Sequence, residues 1–171
     1  MTAPGWVLLL SYWLHMIATV VWIGGLAALT LFVLPAAHKT LQSQHYSVFL
    51  DKIQTQLQSI GWFSLALLAV TGMFQLSSSP FYKGFLVIQN QWAWAILLKH
   101  LIIVIMVTIS AYLSWGLSPN LARLTLMQTR GALKNNGLLE RLQNRQLIFM
   151  RINLAAGLVI LALTAWARTS S

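Results

Sequence analysis

The stretch that decides the fold is WVLLLSYWLHMIATVVWIGGLAALTLFVLP, from Trp6 to Pro35, which contains no Asp, Glu, Lys or Arg. A helix rises about 1.5 Å per residue, so this stretch would extend over about 44 Å, beyond the ~30 Å hydrocarbon core of a bilayer. It is too long for the apolar region of a signal peptide, and no Lys or Arg precedes it. We therefore interpret it as a retained membrane helix that crosses the bilayer with a tilt.

The whole chain has the composition of a membrane protein. Of its 171 residues, 58% are hydrophobic and 8% are charged, whereas a soluble domain carries about 25% charged residues. The absence of cysteine excludes disulfides, thiolate zinc sites and iron–sulfur clusters. The net charge of +9 is better explained by loop topology and anionic headgroups than by nucleic acid. We therefore expect a lipid membrane, and not nucleic acid, as the partner.

Four apolar segments are long enough to span a bilayer and together form a single domain over residues 1–171. They cover about residues 6–35, 57–76, 92–117 and 147–167. Their short connections favour an all-α, up-down-up-down four-helix bundle. In the first connection Leu41, Phe49 and Ile53 recur at helical spacing, which predicts that the second helix begins earlier, partly at the interface.

The distribution of positive charge predicts the orientation of this bundle. Of the 11 Lys and Arg residues, eight lie on the side of the first and third connections, Lys83 and Arg168 lie on the other side, and Lys99 lies within helix three. The positive-inside rule then places the basic loops in the cytoplasm and both termini outside. We expect the membrane to be the bacterial inner (cytoplasmic) membrane.

Two histidines are predicted at the same membrane depth. His15 follows Trp6 by nine residues and His100 follows Trp92 by eight, which places both about 12–14 Å from the outer ends of their helices. Ionisable side chains at this depth are costly and are candidate functional residues. Helices one and three would be diagonal in the bundle, about 13 Å apart. Two imidazoles facing each other there could be axial ligands of haem iron, or each could serve only packing and hydrogen bonding.

Lys99 competes with His100 as the second site residue, because about 100° of helix rotation separates neighbouring residues. The face of Lys99 also carries Trp92, Ala95, Ile103, Met106 and Ser110, and the face of His100 carries Ala93, Ile96, Val107, Ala111 and Ser114. Only one of these two faces can point along the bundle axis. Lys99 could extend to the interface, pair with a haem propionate or be the functional residue itself.

Polar side chains of the other helices are predicted at the level of the two histidines. Thr71 and Gln75 belong to a small and polar stripe of helix two, and Thr164 belongs to a similar stripe of helix four. Such stripes could admit a flat macrocycle or only allow close helix packing. The predicted cofactor contacts are His15, Trp22, Thr71, Gln75, Lys99 and His100, with His15 and His100 as metal ligands.

The remaining histidines and the methionines give weaker signals. His38 and His45 lie beyond the first apolar segment and are expected to be solvated or interfacial. The methionines are scattered along the chain, whereas a copper relay requires soft ligands in groups.

Three short motifs resemble a known family. They are HMIATVVWIGG from His15 to Gly25, WAILLK ending at Lys99, and RINLAAG from Arg151 to Gly157. The pattern resembles the CopD-type copper-resistance membrane domain, and it is similar to the four-helix HemJ-type protoporphyrinogen oxidases. The resemblance implies a four-helix membrane domain with haem b or copper at the first-helix histidine, here His15. In the HemJ-type proteins a third-helix lysine is a functional residue, and its match is Lys99, whereas His100 is not part of the pattern.

The leading hypothesis from the sequence is a membrane b-type haem protein for electron transfer, with axial ligands His15 and His100 and with Lys99 near a propionate. The resemblance also implies two alternatives, which are copper import or resistance at His15 and an oxidoreductase that acts on a porphyrinogen through His15 and Lys99. A fourth hypothesis is a structural subunit of a larger membrane complex. A redox partner and a homo-oligomer are both compatible with the chain.

Overall fold

The computed structural model describes residues 4–41, 43–78, 91–131 and 137–169, and all regular secondary structure within them is helical. Four stretches are long and apolar enough to cross a membrane: Gly5–Ala37, Val48–Ser77, Ala93–Thr129 and Gly137–Thr169. The prediction of an all-α protein with four helices long and apolar enough to span a membrane is therefore confirmed for the described residues. Lys83 and Lys134, which entered the charge count, lie outside the described residues.

The spanning helices are built from six α-helices and two π-helical turns. In chain order they are α1 (Gly5–Ala27), the first π turn (Ala28–Val33), α2 (Leu34–Thr40), α3 (Ser43–Ser77), α4 (Gln91–Ala111), the second π turn (Tyr112–Leu117), α5 (Ser118–Thr129) and α6 (Gly137–Thr169). The third and fourth spanning helices, Ala93–Thr129 and Gly137–Thr169, extend well beyond their apolar segments, because their added turns bury only one face. The early start of α3 agrees with the helical spacing in the first connection.

Each π turn ends two residues before a proline. Pro35 is the second residue of α2, and Pro119 is the second residue of α5. A proline inside a helix lacks an N–H, and its ring collides with the carbonyl four residues earlier. Those carbonyls belong to Leu31 and Trp115, which lie within the π turns. We infer that the wider turns let the first and third spanning helices continue past a proline that would otherwise break them.

Different pairs of helices pack together at the two ends of the bundle. α1 packs along α3 and α6, α4 packs along α6, and α5 packs along α3. Among the described residues, α4 packs extensively against neither α1 nor α3. We call the half of the bundle that contains His15 the His15 half, and the half that contains Pro35 the Pro35 half. α3 is therefore joined to the third spanning helix in the Pro35 half rather than in the His15 half.

The two halves also have different interiors. The Pro35 half holds a large apolar core, whose buried members are Leu29, Leu34, Ala37, Tyr46, Leu50, Leu113, Leu117, Leu121, Leu139 and Met150. The buried positions of the His15 half are mostly small or polar and include Ser11, Ala18, Thr71, Ala95 and Ala167. The bulky apolar packing of the bundle is thus concentrated away from His15.

Replacing Gly61 with alanine should test the packing of α1 against α3. A Cβ added to Gly61 would lie 2.9 Å from Cζ3 of Trp22, whereas a Cβ added to Gly24 would have no neighbour within 4 Å. Overpacking costs about 1–3 kcal/mol, and the gain in helix propensity is similar in both variants. We expect G61A to unfold in detergent with a free energy about 1–3 kcal/mol below that of G24A. Equal stabilities would show that Trp22 does not pack on Gly61.

Candidate functional site

His15 holds its imidazole against α3. Its Nδ1 lies 2.8 Å from Oγ1 of Thr71. A Cβ added to Gly72 would lie 3.4 Å from Cε1 of the same ring, at the short limit of ordinary van der Waals contact. The absence of a side chain at Gly72 therefore lets the imidazole approach the backbone of α3 closely.

The hydrogen bonds of Thr71 determine the tautomer of His15. The Thr71 hydroxyl donates to the carbonyl oxygen of Leu67 at 2.6 Å. A hydroxyl has one proton to donate, so Nδ1 of His15 is the donor to Thr71 Oγ1 in this arrangement. The neutral imidazole then carries its lone pair on Nε2. Metal-binding histidines use the same arrangement, in which the nitrogen that does not bind metal donates to a second group.

Two further residues extend this contact into a polar cluster. Gln75 Nε2 donates to the carbonyl oxygen of Ser11 at 3.1 Å, and Ser11 Oγ donates to the carbonyl oxygen of Thr71 at 3.5 Å. We call Ser11, His15, Thr71 and Gln75 the α1–α3 polar cluster. The structure thus brings Thr71 and Gln75 to His15, together with Ser11 and Gly72, which were not among the predicted cofactor contacts.

α4 turns the face of Lys99, and not that of His100, towards the other helices. The buried residues of α4 are Ala95, Met106 and Ser110, and all three share the face of Lys99. The residues on the face of His100 are all only partly buried. Burial therefore favours Lys99 as the residue of α4 that faces the interior.

The contacts of the two side chains agree with this rotation. Nδ1 of His100 lies 2.7 Å from the carbonyl oxygen of Ile96 on its own helix. Lys99 shares its face of α4 with the buried residues Ala95 and Met106. The structure therefore turns the face of Lys99, rather than that of His100, towards the interior of the bundle.

The register between neighbouring helices shows which residues lie at one level of the bundle. Along each pair of neighbouring helices, residues with higher numbers on one helix contact residues with lower numbers on the other. The pairs that show this are Ile23 with Gly157, Tyr12 with Arg168, Met106 with Gly157, and Ser110 with Asn153. These pairs align α6 with both α1 and α4.

Extending this register places four polar residues at one level. Lys99 lies seven residues before Met106, and Thr164 lies seven residues after Gly157, so Lys99 and Thr164 are level. The alignment of α1 with α6 places His15 at the same level, and Thr71 is bonded to His15. We call His15, Thr71, Lys99 and Thr164 the His15 layer. Each spanning helix contributes one member.

The other predicted residues lie away from this layer. Trp22 lies two turns from His15 towards the Pro35 half, where its ring packs on Gly61. His45 is exposed, as expected for a solvated histidine, and the side chain of His38 lies outside the described residues. Among the described residues, no group of three or more His, Asp or Glu is placed to hold a metal ion.

A second polar group lies in the Pro35 half. Gln146 Nε2 donates to Gln54 Oε1, and both residues line a cavity of about 10 Å³ together with Ser118, Thr125 and Gln143. This volume is close to the minimum for one water molecule. The polar groups of its lining are neutral amides and hydroxyls, in contrast to the ionisable side chains of the His15 layer.

Thr71→Val should destabilise the protein through His15. Valine keeps the shape of threonine but removes the hydroxyl that accepts from Nδ1–H of His15, and a part-buried donor without a partner costs about 1–3 kcal/mol. Thr108→Val is a matched control, because Thr108 is exposed and its hydroxyl donates only to the carbonyl oxygen of Val104. We expect T71V to lower the free energy of unfolding by about 1–3 kcal/mol and T108V to change it by less than about 0.5 kcal/mol. Equal effects in thermal unfolding would contradict the assigned hydrogen bond.

The fold and the site define a four-helix integral membrane protein with a histidine and a lysine in the layer described above. Comparison with known proteins adds no relative: no family model, no curated protein and no solved structure matches the chain. The resemblance to the CopD-type and HemJ-type proteins therefore stays a prediction from short motifs.

Proposed function

We propose that this protein is a membrane-embedded b-type haem protein in which His15 is an axial ligand of the iron. The observation that carries this proposal is the hydrogen bond from His15 Nδ1 to Thr71 Oγ1. It orients the ring and leaves the lone pair on Nε2, as a ligating histidine requires. When bound, haem supplies reversible one-electron redox chemistry, and electron transfer is the role that we propose for it.

The surroundings of His15 suit a tetrapyrrole in three respects. The buried positions of this half are mostly small or polar, whereas those of the Pro35 half are mostly leucines. Among the residues that the structure describes, α3 and α4 do not pack extensively against each other. Lys99 supplies a positive charge for a propionate, which would offset the cost of burying either charge alone.

We propose Lys99, rather than His100, as the second site residue. The sequence favours His100 through its depth, whereas the burial of Ala95, Met106 and Ser110 on the face of Lys99 supports Lys99. In this arrangement His15 would hold the iron and Lys99 would lie near a propionate. Thr71 and Gln75 would act on the haem through His15 and Ser11, as positioning residues.

We also propose that the bundle is up-down-up-down with both termini outside, in the bacterial inner membrane. Two observations support this arrangement. Contacts between neighbouring helices run in opposite directions, and Arg168 near the end of α6 contacts Tyr12 near the start of α1. The greater number of Lys and Arg in the first and third connections favours the cytoplasm for those loops.

A second candidate function is the oxidation of a porphyrinogen, and the proximity of Lys99 to His15 favours it. This pair matches the histidine and lysine implied by the resemblance to the HemJ-type proteins. Oxidation would remove hydrogen atoms from the porphyrinogen as protons and electrons, and a membrane quinone or another electron acceptor would have to receive the electrons. Restoration of haem synthesis in cells that lack their own protoporphyrinogen oxidase, and its loss in K99M, would support this function. No restoration by the wild-type chain would contradict it.

Titration of the purified apoprotein with haemin tests the haem proposal. We expect saturation at about one haemin per chain, with a Soret band that differs from that of haemin in detergent alone. A parallel titration with copper(I) tests the copper alternative. Saturable copper binding without saturable haemin binding would contradict the proposal and favour copper handling at His15.

A further inference from the structure

Two arginines of α6 lie at the edge of its apolar spanning segment. Arg141 and Arg145 come just before this segment, which begins near Leu147, and both side chains are exposed. They are four residues apart, so they share one face of the helix, and two like charges at this spacing destabilise it. Glu140 does not relieve the repulsion on this face, because a neighbour in sequence projects about 100° away. An anion bound between the two guanidinium groups would do so.

Two aromatic rings orient the guanidinium of Arg145. Its carbon lies 5.8 Å from the centre of the Tyr112 ring and 5.9 Å from that of the Phe149 ring. These rings pack edge to face with their centres 5.4 Å apart. Gly116 leaves room for the arrangement, since a Cβ there would lie 3.2 Å from Cδ2 of Tyr112. Within the part of the chain that the structure describes, the two rings are the partners of this guanidinium, so its N–H groups can donate to a phosphate.

An exposed apolar strip continues from the two arginines along the same face of α6. The exposed fraction is 55% for Ile148, 45% for Ile152 and 47% for Val159. We call the exposed residues of this face the Arg145 stripe, which consists of Arg141, Arg145, Ile148, Ile152 and Val159. The stripe is charged at the end of the spanning segment and apolar towards its middle. A phospholipid has the same order, with its charged headgroup at the interface and its acyl chains in the hydrocarbon core.

We propose that the Arg145 stripe binds one anionic phospholipid, whose phosphate contacts Arg141 and Arg145 and whose acyl chain lies along the apolar residues. This inference goes beyond the haem proposal and does not rest on it. Guanidinium groups suit a phosphate because their planar forks bind two of its oxygens at once. An anionic headgroup is favoured over a zwitterionic one, because the two cations would repel the amine of the latter. In the proposed orientation the stripe begins in the cytoplasmic leaflet, where anionic lipids give the surface its negative potential.

The test measures lipid binding to the purified whole chain in an uncharged detergent by native mass spectrometry. Dioleoylphosphatidylglycerol is compared with dioleoylphosphatidylcholine, which has the same acyl chains and no net charge. The variants are R145Q and R141Q/R145Q, with R123Q as a matched control. Arg123 is exposed on α5 in the same half of the bundle, so R123Q removes the same charge from another helix. The affinity of each variant for phosphatidylcholine reports on its fold independently of the headgroup charge.

We expect the wild-type protein to bind its first phosphatidylglycerol molecule about 10-fold or more tightly than phosphatidylcholine, as charge-assisted hydrogen bonds predict. R145Q should lose most of this preference and R141Q/R145Q all of it, while their affinity for phosphatidylcholine stays unchanged. R123Q should behave like the wild-type protein, because the site requires two arginines above one apolar face rather than net charge alone.

Three outcomes would overturn the inference. Equal affinities of the wild-type protein for the two lipids would show that the stripe does not select a charged headgroup. An equal loss of preference in R123Q and R145Q would assign it to the net charge of this end of the bundle. A stabilisation against heat by inorganic phosphate that equals the effect of phosphatidylglycerol, and that R145Q loses, would replace the lipid with free phosphate. None of these outcomes bears on haem binding at His15.

Discussion

His15→Ala is expected to weaken haemin binding by a factor of at least about 100. Loss of a group that only orients a metal ligand costs about 10–100-fold in affinity, and loss of the ligand itself must cost more. Its hydrogen-bond partner Thr71 offers a hydroxyl, which is a poor ligand for haem iron and would not replace the imidazole. The measurement is a haemin titration of the purified variant in detergent, followed at the Soret band.

The matched control for this variant is His45→Ala. His45 is exposed near the start of α3, on the same chain but away from the His15 layer. We expect H45A to bind haemin as the wild-type protein does. A haemin affinity of H15A equal to that of the wild-type protein would contradict the assignment of His15. An equal loss of affinity in H15A and H45A would show that haemin does not distinguish the two histidines.

Lys99→Met is expected to stabilise the fold and at the same time impair the site. A charged lysine costs up to about 2.5–3.5 kcal/mol at the centre of a spanning helix and less towards its end, and methionine fills a similar length without that cost. K99M should therefore be at least as stable as the wild-type protein. Its haemin affinity should fall by about 10-fold, because a propionate would lose its buried counter-charge. A gain in stability together with a loss of binding is the result expected of a residue kept for function.

His100→Leu is the control for Lys99→Met at the neighbouring position. His100 lies on the partly buried face of α4, with Nδ1 bonded to the carbonyl oxygen of Ile96. We expect H100L to change haemin affinity by less than about 2-fold, within the range of ordinary surface substitutions. Haem bands lost in H100L but retained in K99M would instead support a bis-histidine site and would contradict the inward placement of Lys99. Unfolding and titration of the same preparations provide both readouts.

The depth of the site was predictable from the sequence, and its rotation was not. Counting from the tryptophans at the starts of their helices puts His15 and His100 at one level. The helix registers give the same level for His15, Lys99 and Thr164. Helical rise fixes depth, so counting residues is sufficient. The face of α4 depends on packing, and the faces of Lys99 and His100 are similarly apolar. Only the contacts of Met106 and Ser110 with α6 distinguish them.

Other features of the site depend on contacts between distant parts of the chain. Thr71 was predicted as a cofactor contact, but its bond to His15 and the resulting tautomer follow from the position of its hydroxyl relative to Leu67. Gly72 is significant only because the imidazole of another helix lies against it. The continuation of helices one and three through Pro35 and Pro119 was also not predicted, since a proline usually ends a helix. Apolar runs identify the spanning segments but do not show which faces meet.

The central claim, that His15 holds the iron of a b-type haem, is tested most directly by reduced-minus-oxidised absorption spectra. The wild-type protein and H15A should be purified from the same haem-replete cells and compared at equal protein concentration. We predict sharp b-type bands in the wild-type protein and none above background in H15A. Bands of equal intensity in both proteins, or no bands in the wild-type protein, would contradict the claim.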